Sequence, residues 1–385
     1  MQMKYYTDST IFKFNTRVKT VEEKEDGVYV ELEESYFYPE SGGQLKDEGT
    51  INGKEVMDLM IIEGVLYHKL ASFSGLTLNM QVNCIIDENV REAHTITHTA
   101  QHVFSAVLKD GYNLNTIGFH MGKQITTIDL DGDISQDMLI EVEDRVNKII
   151  RDDLKVKTYF RTLKEAQRLP LRKEIKDLEN VRIVQIGDID YSGCGGTHVA
   201  SLKEIQLFKV VDMEKYKGGL RISFAAGRKA FDYIKELEVT MRLLKEELNT
   251  SIDEMPYRVR RLKEEKAEEH LRAENHQKEM VNFMANSYDE DVIVEKTTYD
   301  EEMIKALGKE IMALDKMAVF YTEERKVYLF TGKKLHAKRV LDEAKAGLDF
   351  RGGAGAHFGQ GIFEKEEDLL MFISNLYGVF LKLEV

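Results

Sequence analysis

The sequence predicts an α+β protein with four parts: an N-terminal β-barrel-like domain, an α+β domain, a helical linker and a small C-terminal α/β domain. Three observations support this prediction. At 385 residues the chain is too long for one ordinary hydrophobic core. Its apolar pattern changes along the chain from strand-like to mixed, then to helical, then to mixed again. The helical stretch carries apolar residues at alternating spacings of three and four, as in helices that pair.

The composition is that of a soluble globular protein, with 43% hydrophobic and 32% charged residues. No apolar run approaches the roughly 18 residues of a membrane helix, and the first residues lack the pattern of a signal peptide. We therefore expect no membrane association and a cytoplasmic location. In such a reducing compartment Cys84 and Cys194 are not expected to pair. Cys84 lies in an apolar run and is predicted to be a buried strand residue, whereas Cys194 lies among glycines.

The net charge of −14 argues against a protein that coats nucleic acid non-specifically. Three stretches are nevertheless basic: residues 148–176, 258–263 and 333–339. Each is either a solvated helix face or a contact for a partner that carries phosphate groups. Both interpretations are open at this point.

Residues 1–88 alternate apolar and polar positions between turn signals, which predicts the barrel-like domain. Residues 89–228 form the predicted α+β domain. It begins with a helix over 89–110 that ends on Gly111, continues with a hairpin over 114–132 and a helix capped by Ser135, and closes with further strands.

Residues 229–289 are predicted to form the helical linker, with a break at 249–251. Ser251 to Glu254 matches a capping box, and Pro256 is compatible only with the start of the second helix. The two helices either form an intramolecular hairpin or provide the seam of a homodimer; the sequence leaves both open.

Residues 290–385 are predicted to form the C-terminal α/β domain, with a glycine-rich loop at 351–361. Its strand candidates share short apolar runs bounded by polar residues. They are residues 291–297, 316–322, 326–332 and 377–385.

Histidines recur every four residues near the start of the α+β domain, at His94, His98 and His102. This spacing puts all three on one helical face, so that two neighbouring imidazoles reach one metal ion. The bland alternative is a helix with polar histidines that face solvent. From spacing alone, any adjacent pair is a candidate.

A second pair, Cys194 and His198, lies four residues apart in a glycine-rich turn. The alternative interpretation is a tight turn with an incidental thiol. Two histidines and this pair together supply three nitrogens and one sulfur, which is the donor set of a tetrahedral zinc site. The HExxH pattern of zinc proteases and all CxxC pairs are absent from the sequence. Four protein ligands are typical of a structural metal, so the ion either shapes a site or exchanges one ligand for water or substrate.

Two further segments are candidates for lining such a site. Residues 38–44 end a strand in a glycine loop that carries a carboxylate, a hydroxyl and the amide of Gln44. Residues 115–120 form a strand directly after the histidine helix and include Thr116 and His120. A hydroxyl such as that of Thr116 is suited to bind a small polar side chain of a substrate. The alternative for both segments is ordinary turn and strand chemistry.

Taken together, these motifs resemble the alanyl-tRNA editing family, which includes the editing domain of alanyl-tRNA synthetase and freestanding AlaX proteins. The matching segments are HTAQHVFSAVL, CGGTH, FYPESGGQ, KGGLRISFAAG and, for the DHH-associated C-terminal domain, RGGAGAHFGQG. The family register selects His98 and His102 as the helical ligands and implies that His94 lies behind them or faces solvent. Since SGGQ arrives at residue 41, we expect a long AlaX form without the aminoacylation domain of a synthetase.

The resemblance implies a zinc-dependent enzyme that deacylates mischarged alanine tRNA, carrying serine and perhaps glycine, in trans. It implies tRNA as the partner, and ATP binding only at the level of the wider family. Thr116 is expected to sense the substrate side chain, while Gln44 and His120 line the pocket. The main alternative is a tRNA-binding or ester-binding protein with a structural zinc. A threonyl-type editing enzyme and a phosphoesterase are less favoured, because the SGGQ loop indicates the alanyl branch and the Asp-His-His motif of the phosphoesterases is absent.

Overall fold

The computed structural model describes residues 2–71, 75–175, 179–333 and 335–383. The chain divides into two compact units, Met1–Leu243 and Leu244–Val385. The predicted mixture of strands and helices is confirmed, whereas the finer division at residues 88, 228 and 289 stays a prediction. In the described part of the chain no helix combines the length and the apolar character needed to cross a membrane.

Six strands at the start of the first unit close into a barrel, which confirms the predicted barrel-like domain. The first eight strands are β1 (Gln2–Met3), β2 (Lys13–Lys24), β3 (Gly27–Leu32), β4 (Glu34–Ser35), β5 (Gly49–Ile51), β6 (Lys54–Ile62), β7 (Val65–Leu70) and β8 (Gln81–Ile86). Around the barrel the order is β2, β3, β7, β6, β5, β8, and β1 pairs with β4 outside it. Strand β8 buries every second residue, including Cys84, as the alternation predicts.

The rest of the first unit is built around one long helix. Its elements are α1 (Glu88–Tyr112), β9 (Thr116–His120), β10 (Thr126–Leu130), α2 (Gln136–Arg151), β11 (Val156–Thr162), α3 (Leu163–Ala166), β12 (Asn180–Ile186), β13 (Asp190–Gly193), β14 (Phe208–Tyr216), β15 (Gly219–Ala226) and α4 (Arg228–Leu248), which crosses into the second unit. The strands form two sheets, ordered β14-β15-β10-β9 and β11-β12-β13. The predicted hairpin is β9–β10, and α1 packs Phe104 against Phe208 and Phe224.

The ends of α1 and α2 follow from local capping. Asp87 caps α1 by accepting a hydrogen bond from the amide of Val90. The prediction that this helix ends on Gly111 is wrong, because the helix continues to Tyr112 and Asn113 adopts the left-handed conformation instead, with φ of 56°. Ser135 caps α2 as predicted.

The predicted break between two long helices is confirmed, with α5 spanning Met255–Ser287. Asn249 takes a positive φ of 45° and ends α4. The predicted capping box does not form: Glu254 precedes α5 without a side-chain cap, and its amide closes a turn onto the carbonyl of Ser251. Pro256 occupies the first turn of α5, where a missing amide hydrogen costs nothing.

The second unit contains one five-stranded sheet covered by helices. Its remaining elements are β16 (Val292–Lys296), α6 (Glu301–Ala313), β17 (Met317–Tyr321), β18 (Lys326–Phe330), α7 (Ala337–Ala344), β19 (Phe350–Ala354), β20 (Phe358–Phe363) and α8 (Glu366–Leu383). The strand order is β16-β17-β18-β20-β19. The first three predicted strands of this unit are confirmed.

Two predictions for the second unit are wrong. The glycine-rich segment 351–361 is the β19–β20 hairpin, where a Cβ on Gly361 would lie 2.1 Å from the ring of Phe350. Glycine is therefore needed there for ring packing rather than for an open loop. The predicted final strand is instead part of α8 up to residue 383. The apolar side chains Phe372, Leu376 and Phe380 of α8 pack into the core at helical spacing. The last two residues of that prediction lie outside the described residues.

A buried ion pair joins the first turn of α1 to the barrel. Arg91 Nε lies 2.7 Å from Asp47 Oδ1, and both side chains are almost fully buried. The remaining guanidinium hydrogens reach the backbone carbonyls of Ser9 and Tyr36. The amide of Tyr38 donates to Asp47 at 2.6 Å. This network fixes α1 against the loop that precedes β5.

We expect Asp47→Ala to lower the free energy of unfolding by about 3–5 kcal/mol, because it leaves the charge of Arg91 buried without its partner. Urea denaturation of the full chain measures the change. Asp58→Asn, which removes the half-exposed pair with Lys46, is the matched control and should cost less than about 1 kcal/mol. Equal small losses in both variants would show that the buried pair does not anchor the helix.

Candidate metal centre

The four predicted ligands lie together in the first unit. His98 and His102 are one turn apart on α1, and Cys194 and His198 follow β13. The four ligand atoms all lie within 4.8 Å of one another. Cys194 Sγ is 3.5 Å from His98 Nε2 and 3.4 Å from His198 Nε2. The three imidazoles are buried, and Cys194 is half-buried at the edge of a cavity.

The glycine-rich turn is shaped to bring its thiol inward. A Cβ on Gly196 would lie 2.1 Å from Cε1 of His98, so no side chain fits at that position. The amide of Gly196 points at Cys194 Sγ, 3.3 Å away, which favours the thiolate. Arg182 Nη1 donates to the carbonyls of Cys194 and Gly196 at 2.8 and 2.9 Å. The Gly196 amide and the Arg182 guanidinium therefore both stabilise the turn.

Gln44 fixes the orientation of His98. Its Oε1 lies 2.7 Å from His98 Nδ1 and also accepts from the amide of Thr197 at 3.0 Å, while its Nε2 donates to Thr197 Oγ1. His98 Nδ1 must then be the donor, which leaves the lone pair of Nε2 for a metal. Sequence reasoning expected Gln44 to line the pocket. The structure places it fully buried behind the ligand.

Asp190 fixes the orientation of His102 in the same way. Its Oδ2 lies 2.8 Å from His102 Nδ1, and its Oδ1 accepts from Arg172 Nε at 2.7 Å. Burial raises the pKa of Asp190, but the hydrogen bond from His102 and the charge of Arg172 outweigh it and lower the value to about 2. Burial likewise lowers the pKa of His102, yet the bond to this carboxylate holds it above the ordinary value of 6.5.

Thr99 completes the set by holding His198. Its hydroxyl donates to the carbonyl of Thr95 at 2.8 Å, so its oxygen accepts from His198 Nδ1 at 3.2 Å. Burial lowers the pKa of His198 to about 3, which keeps the imidazole neutral. Burial alone would raise the pKa of Cys194, but the adjacent His98 and His198 hold it well below the ordinary value. Thiolate and neutral imidazole are the forms that bind a metal.

A cavity of about 470 Å³ opens onto His98, His102 and Cys194. Thr116 lies in its wall, and its Oγ1 is 2.6 Å from Ser105 Oγ. Gln101 Nε2 in turn donates to Ser105 at 2.7 Å. The cavity wall therefore carries Gln101 and Thr116, and the buried hydroxyl of Ser105 bridges them. This arrangement suits a small ligand with one hydroxyl group.

One further histidine lies elsewhere than predicted, and for another the structure excludes one of the two expected positions. His120 was expected to line the pocket, but its side chain is 67% exposed and faces Asp129 at 3.9 Å. Side chains alternate along β9, so its neighbour Phe119 points to the site and stacks on the His98 ring at 5.2 Å. His94 does not face solvent: it is 7% exposed, and burial lowers its pKa to about 4.

Sequence reasoning missed Asp190, Gln101 and Arg172. Gln101 carried a usable signal, because it precedes His102 on the helix and Ser105 follows one turn later. Asp190 lies four residues before Cys194, but nothing in the sequence distinguishes it from neighbouring acidic residues. Arg172 is placed by the fold of the segment after α3, which no local pattern encodes.

Parts of the chain are similar to tRNA synthetases and to an editing protein. Residues 181–223 match the family model of the threonyl and alanyl tRNA synthetase second additional domain, and residues 2–90 match that of class II (A) tRNA synthetases. The chain is 36% identical over 242 residues to the alanyl-tRNA editing protein AlaX-L of Pyrococcus horikoshii, a match that covers 60% of each chain.

Alanine–tRNA ligases also match. That of Methanopyrus kandleri is 31% identical over 293 residues, covering 73% of this chain and 32% of the ligase. The ligase of Archaeoglobus fulgidus is 28% identical over 398 residues, covering 95% of this chain and 43% of the ligase. The chain thus spans less than two thirds of the length of each relative. Among solved structures, RecJ of Thermus thermophilus aligns with a TM-score of 0.25 and 15% identity over 37% of the chain and 26% of RecJ, which is too low to indicate a shared fold.

We expect Asp190→Asn to weaken zinc binding about 10- to 100-fold, because the amide lacks the charge that orients His102 and makes it more basic. Competition against a chromogenic zinc chelator measures the affinity. Asp188→Asn removes an exposed carboxylate two residues away and serves as the control. If both variants bind zinc like the wild type, Asp190 does not support the centre.

Metal affinity should fall as the pH falls through the raised pKa of His102, since protonation of Nε2 competes with the ion. One proton predicts a decline of about tenfold per pH unit below that point. In Asp190→Asn the onset should move to lower pH, because the carboxylate that raises the pKa of His102 is gone. Zinc titrations between about pH 5 and 8 provide the measurement. An onset that is the same in both proteins would contradict the assignment.

Proposed function

The chain is related to the alanyl-tRNA editing family, and on that premise we propose that it is a trans-editing deacylase. It hydrolyses the ester of serine, and to a lesser degree glycine, on tRNA that accepts alanine. The observation that carries this proposal is the cavity that joins the His98, His102, Cys194 and His198 cluster to the hydroxyl of Thr116. An ester carbonyl beside the cluster would place its amino-acid side chain within reach of that hydroxyl.

The donor set of three nitrogens and one thiolate supports zinc as the resident ion. When bound, zinc supplies Lewis-acid chemistry to an ester carbonyl or a water molecule. Gln44, Asp190 and Thr99 hold the imidazoles through Nδ1, so that the three Nε2 atoms and the thiolate would bind the ion. Four protein ligands are also typical of an ion that only shapes the pocket. In that case the chain would be a non-catalytic protein that binds the ester, which is the alternative to the deacylase.

Substrate choice is assigned to the polar chain in the cavity wall. Thr116, supported by Ser105 and Gln101, would hydrogen-bond the serine hydroxyl. Alanine lacks the hydroxyl and does not form this hydrogen bond, so it binds less tightly than serine. The same pocket admits glycine by size, but glycine has no side-chain hydroxyl to pair with Thr116.

The proposal includes a cytoplasmic location and tRNA as the partner. It also includes a homodimer formed through the helical linker. Exposed apolar side chains on α4 support that assembly, since Ile234, Leu237 and Leu244 repeat at helical spacing and are each about 40% exposed.

The purified, zinc-loaded chain should release serine from seryl-tRNA that accepts alanine and should spare alanyl-tRNA. Thr116→Val keeps the shape but removes the hydroxyl, so we expect it to reduce the preference for serine about 10- to 100-fold. Release of labelled amino acid is the measurement. Thr127→Val on β10, outside the cavity, is the matched control.

Two further results separate the alternatives. If the zinc-loaded chain binds the tRNA but releases no serine at micromolar enzyme, the deacylase proposal is wrong and the binding protein stands. Faster release from seryl-tRNA that accepts threonine would favour the threonyl-type enzyme. Cys194→Ala distinguishes the role of the ion: loss of activity in a folded protein indicates a catalytic metal, whereas unfolding indicates a structural one.

A further inference from the structure

The cavity wall beside the metal cluster contains one cation that is fixed in place. Among the described residues that line the cavity, Arg172 and Lys173 are the two with a lysine or arginine side chain. Lys173 is exposed to solvent, whereas the side chain of Arg172 is 18% exposed. A cation that is already fixed stabilises developing negative charge more effectively than a mobile one, because nothing has to reorganise during the reaction.

Three hydrogen bonds fix Arg172 against β13. Its amide donates to the carbonyl of Tyr191 at 2.9 Å. Its Nε donates to Asp190 Oδ1 at 2.7 Å, and its Nη2 donates to Ser192 Oγ at 3.0 Å. The backbone bond sets where the side chain begins, and the two side-chain bonds set where the guanidinium lies. All three bonds reach consecutive residues of one strand, so the position of Arg172 follows from the position of β13.

The guanidinium lies on the face of β13 that leads to the thiolate. Side chains alternate along a strand, so Asp190 and Ser192 share a face, and both are buried. Cys194 is the next position on this face, since its amide continues the ladder by donating to the carbonyl of Arg182 at 3.1 Å. Successive positions on one face of a strand are about 7 Å apart. Arg172, which contacts Asp190 and Ser192, therefore lies one position away from the metal-binding thiolate.

The guanidinium has hydrogens left for a ligand. An arginine side chain carries five N–H groups. The bonds to Asp190 and Ser192 use Nε and Nη2, which lie along one edge of the guanidinium. In the part of the chain that the structure describes, Nη1 has no acceptor. Since Arg172 forms part of the cavity wall, its remaining hydrogens are available to a molecule inside the cavity.

The ester hydrolysis of the proposed function places negative charge on one particular atom. A water oxygen bonds to the carbonyl carbon, and the electron pair of the carbonyl π bond moves onto the carbonyl oxygen. The bond from that carbon to the ribose oxygen then breaks, and the ribose oxygen takes up the proton that the attacking water loses. The products are serine and a free ribose hydroxyl. A fixed cation beside the carbonyl oxygen stabilises the charged state between the two steps.

The four-membered donor set leaves room for such a cation. Four protein ligands fill the coordination sphere of a tetrahedral zinc ion. As long as all four stay bound, the carbonyl oxygen has no position on the ion. A cation in the cavity wall stabilises the charge on that oxygen without the loss of a ligand.

Resting on the proposed function, we propose that Arg172 is a catalytic residue whose guanidinium binds the carbonyl oxygen of the ester and stabilises the negative charge that develops on it. Asp190 and Ser192 hold the guanidinium in place. Asp190 also orients His102 through its other oxygen. One carboxylate thus positions both a metal ligand and the catalytic cation.

Kinetics at saturating zinc test this role. Arg172→Gln removes the charge and should lower kcat for seryl-tRNA about 10²- to 10³-fold with little change in KM, because the bond strengthens only as the charge develops. Arg172→Lys keeps the charge but not the planar fork and should recover part of the loss. Arg168→Gln makes the same change at an exposed arginine outside the cavity and is the matched control, with wild-type kcat expected.

Two stable analogues separate a catalytic role from a purely structural one. An RNA that carries serine through an amide mimics the substrate, and one that carries a phosphonate in place of the carbonyl mimics the charged tetrahedral state. Arg172→Gln should weaken phosphonate binding about 100-fold and leave amide binding within about threefold of the wild type. An arginine that only holds Asp190 predicts equal losses for the two analogues, and that result would overturn the proposal.

Failure of this assignment and failure of the proposed function give different results. If the wild type releases serine and Arg172→Gln keeps its kcat and its phosphonate affinity, the role of Arg172 is wrong and the function stands. A full loss in Lys173→Gln with none in Arg172→Gln would also overturn it. If the wild type releases no serine, the deacylase proposal is wrong. Phosphonate binding that depends on Arg172 would then still support the cation site, whereas binding of neither analogue would overturn both.

Discussion

Three hydrogen bonds to the Nδ1 atoms of His98, His102 and His198 are the constraint on which the site depends. Each bond leaves Nε2 directed at the cluster, and each comes from a different part of the first unit. Gln44 comes from the loop before β5 and Asp190 from β13. The hydrogen bonds to these three imidazoles therefore connect the barrel, the long helix and the small sheet, in addition to apolar packing.

The polar wall of the cavity is positioned by the same helix as the metal-binding histidines. Helix α1 carries two ligands and, on adjacent turns, Gln101 and Ser105, so the cluster and the polar wall share one rigid element. A site on a helix interior is positioned more precisely than one on a loop. The buried pair of Arg91 with Asp47 fixes the start of that helix.

Much of the fold was predictable from patterns with a local cause. The strand alternation around Cys84 and the histidine spacing of four both reflect the geometry of a single element. Predictions failed where tertiary contacts decide. Nothing local shows that α1 ends at Asn113, that Phe350 packs on the glycines of β19–β20, or that Phe119 rather than His120 turns inward. Asp190 was missed for the same reason, since its role exists only once β13 lies against α1.

The contact between Gln44 and Thr197 joins residues 153 positions apart. Contacts between residues so far apart in the sequence raise the contact order, and a high contact order slows folding. Because synthesis proceeds from the N-terminus, the residues of the barrel and of α1 are made before Cys194 and His198. His98 and His102 are therefore made before the other two ligands. The complete centre can form only after most of the first unit has been synthesised.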